Sequence, residues 1–235
     1  MPNFTKKIMR IFLAFLLFSI SIFSQNNLQS GPMVGYCEMK EAMIWLQTEK
    51  LASVYIEYYD IEKTKEVFQS VIHTTTKENA YTCHVVLDKL QPGKKYIYTV
   101  FIDKKKINLP YETSFSSKKL WQWRENAPDF TIALGSCSYV SEEVLDRPGK
   151  PYGSNYFIFE SIAKKNPDIM LWGGDNIYLR EADWDSLTGI YHRYSHSRKI
   201  KEMQPLLAKT QNFAIWDDHD FGPNDSDRGY YNKYV

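Results

Sequence analysis

The sequence predicts an N-terminal all-β sandwich followed by the first part of an α/β domain. Residues 31–116 hold short segments of alternating β-branched or aromatic residues, separated by turn signals. From Phe130 onward, short apolar runs alternate with segments of helical spacing, as in open α/β sheets. The composition agrees, since 43% of the 235 residues are hydrophobic and 15% are aromatic, which excludes a disordered chain.

Residues 1–25 have the features of a signal peptide. Basic residues at positions 6, 7 and 10 precede an apolar run from Ile11 to Phe23, and Ser24 and Gln25 offer a cleavage point. A lysine pair stands where a twin arginine would be, which favours Sec-type export. The apolar run is shorter than the roughly 20 residues that span a bilayer, so no permanent membrane anchor is expected. We therefore expect a periplasmic, cell-surface or secreted protein.

Charge and cysteine content limit the possible partners and disulfides. The formal net charge is +1, which gives no basis for binding nucleic acid or an anionic membrane surface. The three cysteines, an odd number, leave at least one free thiol. Cys37 and Cys83 could pair, but Cys83 alternates with apolar residues, which favours a buried thiol at that position.

Residues 26–118 are predicted to form the sandwich domain. The clearest turn is Gln91-Pro92-Gly93, within a segment of roughly 90 residues, a usual size for such a module. The pattern from Leu90 to Val100, which includes Tyr96, resembles the fibronectin type III signature, in which a tyrosine pins the corner between strands. The predicted strands are Ala42–Leu46, Ser53–Tyr58, Val67–Ile72, Tyr81–Leu87 and Lys95–Ile102.

Residues 119–235 are predicted to form the α/β part. Three motifs stand at the carboxyl ends of its strands: Gly135-Ser136-Cys137, Gly174-Asp175-Asn176-Ile177-Tyr178 and Trp216-Asp217-Asp218-His219-Asp220. Because such ends meet at one edge of a parallel sheet, we expect these side chains to converge. The predicted elements are strands Phe130–Leu134, Asp168–Trp172 and Phe213–Trp216 and helices Tyr156–Lys165 and Ile200–Lys209.

This sheet edge is predicted to bind metal, because burying several carboxylates is costly unless a cation accompanies them. The imidazole of His219 suits ligation or proton transfer. Each residue also has a simpler interpretation: Cys137 as an apolar filler, Asp175 as a helix N-cap, Tyr178 as half-buried core, and the acidic turn as a solvated surface. Their joint occurrence at three consecutive strand ends favours the metal site.

The three motifs together resemble the PhoD-like (alkaline phosphatase D) family of calcineurin-like metallophosphoesterases. In that family a fibronectin type III-like domain precedes an α/β metallophosphoesterase domain of αββα architecture, which is the order predicted here. The segment from Trp216 to Asp227 carries the most specific part of the resemblance. Family members continue beyond the position of Val235 and contribute further ligands, so we expect an N-terminal fragment that binds metal poorly and has little or no activity.

The resemblance implies a role for each site residue. Cys137, Asp175, Tyr178 and Asp218 would be metal ligands, with Asp175 bridging two ions, and His219 would protonate the leaving oxygen. Two or more ions are implied, Fe³⁺ together with Ca²⁺, Mn²⁺ or Mg²⁺, which suits a thiolate and a phenolate on one side and carboxylates on the other. Residues that would support these ligands from outside, or hold an extra ion, are Asp217, Asp220 and Asn224.

The predicted function is that of an exported phosphoesterase, which hydrolyses small-molecule phosphate mono- or diesters by attack of a metal-bound hydroxide. One alternative is a non-catalytic secreted or surface interaction module with a remnant metallophosphatase half-domain, and another is a metal-binding protein without phosphatase activity. Arginines near the site could bind phosphate, although a single arginine is more often a surface charge: Arg180, Arg193, Arg198 and Arg228. His192 and His196 could share a helix face, and we interpret them as surface or substrate-channel residues.

Overall fold

The computed structural model describes residues 27–146, 148, 149, 152 and 155–232. The predicted signal peptide of residues 1–25 lies outside the described residues. Within them, no helix is both long enough and apolar enough to cross a membrane.

The N-terminal part is a sandwich of two antiparallel sheets. In the first sheet, β2 (Ala42–Thr48) lies between β1 (Leu28–Cys37) and β6 (Thr82–Leu87). In the second, β3 (Ser53–Asp60) pairs with β7 (Lys95–Ile102), and shorter strands extend this pair. The shorter strands are β4 (Phe68–Gln69), β5 (His73–Thr74), β8 (Lys105–Lys106) and β9 (Ser114–Ser116).

Alternation of inward and outward side chains builds the sandwich core. Along β3, Val54, Ile56 and Tyr58 are fully buried, while the residues between them are partly exposed. The Tyr96 hydroxyl accepts a hydrogen bond from the Gln91 amide at 2.8 Å, which ties the turn before β7 to the core. This is the tyrosine-pinned corner that the sequence pattern predicts.

The cysteines of the sandwich are unpaired and inaccessible. Cys37 on β1 and Cys83 on β6 are separated by β2, and all three cysteines of the chain are free thiols. Cys83 is buried, as its alternation predicts. Burial raises the pKa of both thiols from the ordinary value to about 12, because the charged thiolate is poorly solvated there.

Two strands of the sandwich differ from the sequence prediction. The strand predicted over Val67–Ile72 is only the two residues of β4, because the Ser70 hydroxyl accepts from the Ile56 amide and leaves Val71 and Ile72 exposed. Strand β1 is not predicted at all, since its central Gly31-Pro32 and its register shifts interrupt the alternation.

The C-terminal part contains a parallel sheet in the order β10 (Ile132–Gly135), β11 (Ile169–Gly173) and β12 (Gln211–Ile215). Its helices are α1 (Phe157–Lys164), α2 (Leu187–Arg198) and α3 (Gln204–Leu207). On one face, Met170 and Trp172 are buried against α1 and α3. The opposite face exposes apolar side chains of all three strands, namely Ile132, Leu134, Leu171, Phe213 and Ile215.

The helices of this part follow the sequence prediction only in part. The helix predicted over Ile200–Lys209 is a 3₁₀ turn at Lys201–Met203 followed by the short α3. Helix α2 is missed, because the residues that it buries are Arg193 and Ser197 and it therefore has no apolar stripe.

Hydrogen bonds join the sandwich to the parallel sheet. The Asn212 amide of β12 donates to the Val34 carbonyl at 3.1 Å, and Gly31 donates to the Gln204 side chain at 2.8 Å. The Tyr98 hydroxyl, from the centre of the sandwich, donates to the Ala208 carbonyl at 2.7 Å. The two parts therefore share one buried junction.

Candidate metal centre

The parallel register of β10, β11 and β12 brings their carboxyl ends to one edge of the sheet. Gly135 pairs with Trp172, and Gly173 pairs with Ile215, so the three following loops begin side by side. Two backbone hydrogen bonds then tie the first loop to the second: Cys137 donates to the Gly174 carbonyl at 3.1 Å, and Ser138 donates to the Asp175 carbonyl at 2.8 Å.

The backbone at this edge adopts left-handed conformations. Gly174 has φ +100°, and a Cβ built on it would lie 2.9 Å from the Cβ of Asp217, so only glycine lets the second and third loops approach this closely. Cys137 and Asp175 have φ of 56° and 50°, a region that residues with side chains seldom adopt. Such conformations concentrate at functional sites, where surrounding contacts maintain them.

Three of the predicted residues form a cluster that could hold a metal ion. Asp175, Asp218 and His219 each offer one ligand atom, and these atoms lie within 4.8 Å of one another. Asp175 Oδ1 and His219 Nδ1 are buried and have no hydrogen-bond partner among the described residues. Because unpaired buried polar atoms are rare and costly, these two atoms fit a site for a cation.

Cys137 and Tyr178 contact the other carboxylate oxygen of Asp175, Oδ2. The Tyr178 hydroxyl donates to Asp175 Oδ2 at 2.9 Å, and the Cys137 thiol lies 3.7 Å from the same oxygen. The Tyr178 ring lies 4.6 Å from the ring of His219, measured between centroids. The structure therefore brings together all five residues to which the resemblance assigns metal binding or proton transfer.

The environment of Tyr178 favours a neutral phenol. Burial raises the pKa of Tyr178 well above its ordinary value, and hydrogen bonding to Cys137 and Asp175 raises it further. A bound cation would act in the opposite direction, because its charge stabilises a phenolate.

Asp217 and Asp220 hold the turn that carries Asp218 and His219. The Asp217 side chain accepts from the Asp218 amide at 3.0 Å, and Asp220 Oδ2 accepts from the Asp217 amide at 2.9 Å, which forms a reciprocal cap. Asn224 is exposed, and its side-chain amide donates to Asp225 at 2.6 Å. The amide of the next residue, Asp225, donates to Asp218 Oδ2, and the supporting role of Asn224 stays a prediction.

The structure places two of the four arginines in internal ion pairs. Arg193 is buried and contacts Asp183 at 2.9 Å and Glu142 at 3.1 Å. Arg180 contacts Asp146 at 2.9 Å and also donates to the Tyr139 hydroxyl. These guanidinium groups neutralise carboxylates within the protein, and the phosphate contact considered for Arg180 and Arg193 stays a prediction.

His192 and His196 hold the loop after β10 against helix α2. His192 Nε2 lies 2.9 Å from Glu142, and His196 Nε2 lies 2.9 Å from the Ser141 carbonyl. These contacts, like the Arg180–Asp146 pair, join residues about 35 to 55 positions apart. No local pattern in the sequence indicates them.

A family model described as a domain of unknown function, DUF7800, matches residues 25–120. The solved structure of PhoD superposes with a TM-score of 0.67 and 18% sequence identity over 86% of this chain. The chain has a PhoD-like fold. It spans only 41% of the PhoD chain that it matches.

Two smaller solved structures also match, at lower TM-scores. The fibronectin type III domain derived from human KIAA0970 protein is 11% identical, with a TM-score of 0.32, over 44% of this chain and 85% of that domain. The sensor domain of the anti-sigma factor RsgI4 from Pseudobacteroides cellulosolvens is 12% identical, with a TM-score of 0.31, over 40% of this chain and 94% of that domain.

Proposed function

We propose that this chain belongs to an exported, metal-dependent phosphoesterase that hydrolyses small-molecule phosphate mono- or diesters. The observation that carries the proposal is the cluster of Asp175, Asp218 and His219, in which Asp175 Oδ1 and His219 Nδ1 are buried and have no hydrogen-bond partner among the described residues. Export rests on the sequence of residues 1–25, and the phosphate-ester substrate rests on the PhoD-like fold together with this cluster.

The donors on the two sides of Asp175 differ in chemical type, which supports a centre of two ions. Cys137 and Tyr178 meet Asp175 Oδ2, and a thiolate with a phenolate would hold Fe³⁺. On the other side, Asp218 would hold Ca²⁺, Mn²⁺ or Mg²⁺. Asp175, which lies between these two sets of donors, would contribute to both positions.

Each residue would then have a defined part in hydrolysis. Bound ions would neutralise the phosphate ester and lower the pKa of a coordinated water to about 7. His219 would donate a proton to the leaving oxygen, with its ring positioned by the neighbouring Tyr178 ring. Asp217 and Asp220 would keep Asp218 and His219 in place through the cap that they form.

Metal analysis of the purified chain tests this proposal. After loading with Fe³⁺ and Ca²⁺ and brief dialysis, we expect weakly bound metal in the wild-type chain and a further loss of affinity of about tenfold or more in Asp175→Asn, because a ligand carboxylate is removed. The exposed Asp129→Asn is the matched control. Equal metal content in wild type and Asp175→Asn contradicts the proposed centre and favours a non-catalytic surface module.

Absorbance spectroscopy tests the assignment of Tyr178 separately. Iron bound to a phenolate should give a visible charge-transfer band that disappears in Tyr178→Phe. Tyr139→Phe is the matched control, because the Tyr139 ring lies 5.1 Å from the Tyr178 ring but its hydroxyl contacts Asp146. A band that survives Tyr178→Phe would remove this residue from the ligand set.

A further inference from the structure

A groove separate from the strand-end cluster lies between the sandwich and helix α2. It has a volume of about 800 Å³, within the range of about 300–1,000 Å³ that is typical of small-molecule sites. Residues of β1, β2, β5 and β6 and of the turn at residues 79 and 80 form one wall, and residues 190–198 of α2 form the other. We call it the junction groove. None of the five residues of the candidate metal centre lines it.

The junction groove carries no negative charge. No aspartate or glutamate occurs among the described residues that line it, although the chain has 28 acidic residues. Its ionisable side chains include His73, His84 and Arg198. The groove is therefore electrostatically suited to an anion.

Arg198 forms no short ion pair among the described residues. Within the part of the chain that the structure describes, no carboxylate lies within 4.0 Å of its guanidinium, and its Nη1 is buried without a hydrogen-bond partner. One face of the guanidinium lies over the Trp172 ring, 5.4 Å from the centroid. Burial lowers the pKa of Arg198 from its ordinary value, since the charge is poorly solvated, and the nearby Tyr194 and Asp220 offset this only in part. An anion that meets the guanidinium from the groove would reduce the remaining cost of burying this charge.

Aromatic and amide side chains complete the groove. Trp45 on β2 and Tyr191 and Tyr194 on α2 line it, and each is partly exposed. Asn79 and Gln47 add polar groups, although Gln47 already donates to Ala80 and Ser195. A flat ring can pack against such aromatic side chains, and its polar substituents can bond to the amides.

We propose that the junction groove binds a small organic anion that consists of an aromatic ring bearing one phosphate or carboxylate group. Arg198 pairs with the anionic group, and Trp45, Tyr191 and Tyr194 contact the ring. One residue of the groove also contacts the turn after β12: the Tyr194 hydroxyl donates to the Asp220 carbonyl at 3.3 Å.

Isothermal titration of the full chain in the presence of EDTA tests the proposal, because the chelator removes any ion from the strand-end cluster. The probes are phenyl phosphate, benzoate, inorganic phosphate and phenol. We expect saturable binding of phenyl phosphate or benzoate at least about tenfold tighter than that of inorganic phosphate or phenol, since ring and charge both contribute. The tighter of the first two identifies the anionic group. Absence of saturable binding by both, or inorganic phosphate binding as tightly, overturns the proposal.

Two variants locate the binding. Arg198→Gln should weaken it about tenfold or more, because a charge-assisted hydrogen bond is lost. Because Arg198 also packs on Trp172, its replacement could disturb the fold as well as the binding. His84→Glu is therefore a second variant, at an exposed position of the groove, and its added carboxylate should repel the anion and weaken binding by a similar factor.

Val86→Glu is the matched control for His84→Glu. Val86 is exposed two residues further along the same face of β6 and does not line the groove, so binding should change less than about twofold. Asp175→Asn should leave binding unchanged, which separates this site from the proposed metal centre. Equal weakening by Val86→Glu, or loss of binding in Asp175→Asn, contradicts the assignment to the groove.

Discussion

Asp220 shows how one acidic residue can organise two loops. Its carboxylate is only 4% exposed, and it accepts from the amides of Asn176 at 2.9 Å, Ile177 at 3.2 Å and Asp217 at 2.9 Å. The Asn176 side chain adds a further donor at 3.2 Å. A carboxylate that accepts several N–H bonds is well satisfied although it is buried. Asp220 therefore supports the metal-binding turn without being free to bind an ion itself.

Removing this carboxylate should destabilise the folded chain. Asp220→Ala leaves several buried N–H groups without acceptors, so we expect the free energy of unfolding to fall by about 3 kcal/mol. Urea denaturation followed by circular dichroism measures it. Asp129→Ala, at an exposed position, should change stability by less than about 0.5 kcal/mol. Equal stability of the two variants would show that solvent or another side chain replaces Asp220.

At the scale of elements, the loops after β11 and β12 depend on a close backbone approach. Gly174 lies between them with a left-handed conformation, and the nearest atom to its missing side chain belongs to Asp217. The strands bring the loops to one edge, but this contact sets the spacing between Asp175 and Asp218. The site is thus a property of neighbouring strand ends and not of any single loop.

Substitution of this glycine should therefore affect both stability and metal binding. Gly174→Ala adds a Cβ 2.9 Å from Asp217 Cβ, and we expect a loss of about 2 kcal/mol together with weaker metal binding. Gly149→Ala is the matched control, because Gly149 also has positive φ but no atom of the described residues lies within 4 Å of the added Cβ. Thermal unfolding and metal titration measure the two effects. If Gly174→Ala had the same stability and metal affinity as Gly149→Ala, the loops after β11 and β12 would be able to move apart without cost.

Sequence patterns predict elements where burial alternates and fail where polar contacts determine the structure. Strands β3, β7, β10, β11 and β12 carry apolar patterns and occur close to the predicted positions. Helix α2 instead packs through Arg193, whose ion pairs with Asp183 and Glu142 depend on tertiary contacts. The convergence of Cys137, Asp175 and Asp218 followed from strand-end placement. The supporting contacts of Glu142 and Asp146 did not, because their partners are distant in sequence.

At the scale of the whole molecule, several buried thiols and phenols couple folding to pH. Burial raises the pKa of Cys37, Cys83, Tyr111 and Tyr194 to about 12. In the unfolded chain these groups lose their protons at lower pH, so the folded state binds more protons between the two values. Their contribution to stability is fully present below about pH 9 and is lost as the pH rises toward about 12.

The free energy of unfolding should therefore fall steeply between pH 9 and pH 12. Removing one buried thiol in Cys83→Ala should make this slope shallower by up to about 1.4 kcal/mol per pH unit, because one fewer proton is released on unfolding. Urea denaturation at several pH values measures the slope. Cys137→Ala, which removes an exposed thiol, is the control, and an identical slope in all three proteins would contradict the linkage.

The hydrogen bond between Asn212 and Val34 spans 178 positions of the chain. During synthesis, β1 of the sandwich leaves the ribosome long before β12 of the parallel sheet has been made. The contact between Val34 and Asn212 can therefore form only after nearly all of the described residues have been synthesised. Contacts of such long separation slow folding, because a large loop must close before they contribute. The contact between β1 and β12 is therefore expected to form late, after the strands of the sandwich and of the parallel sheet have paired within their own sheets.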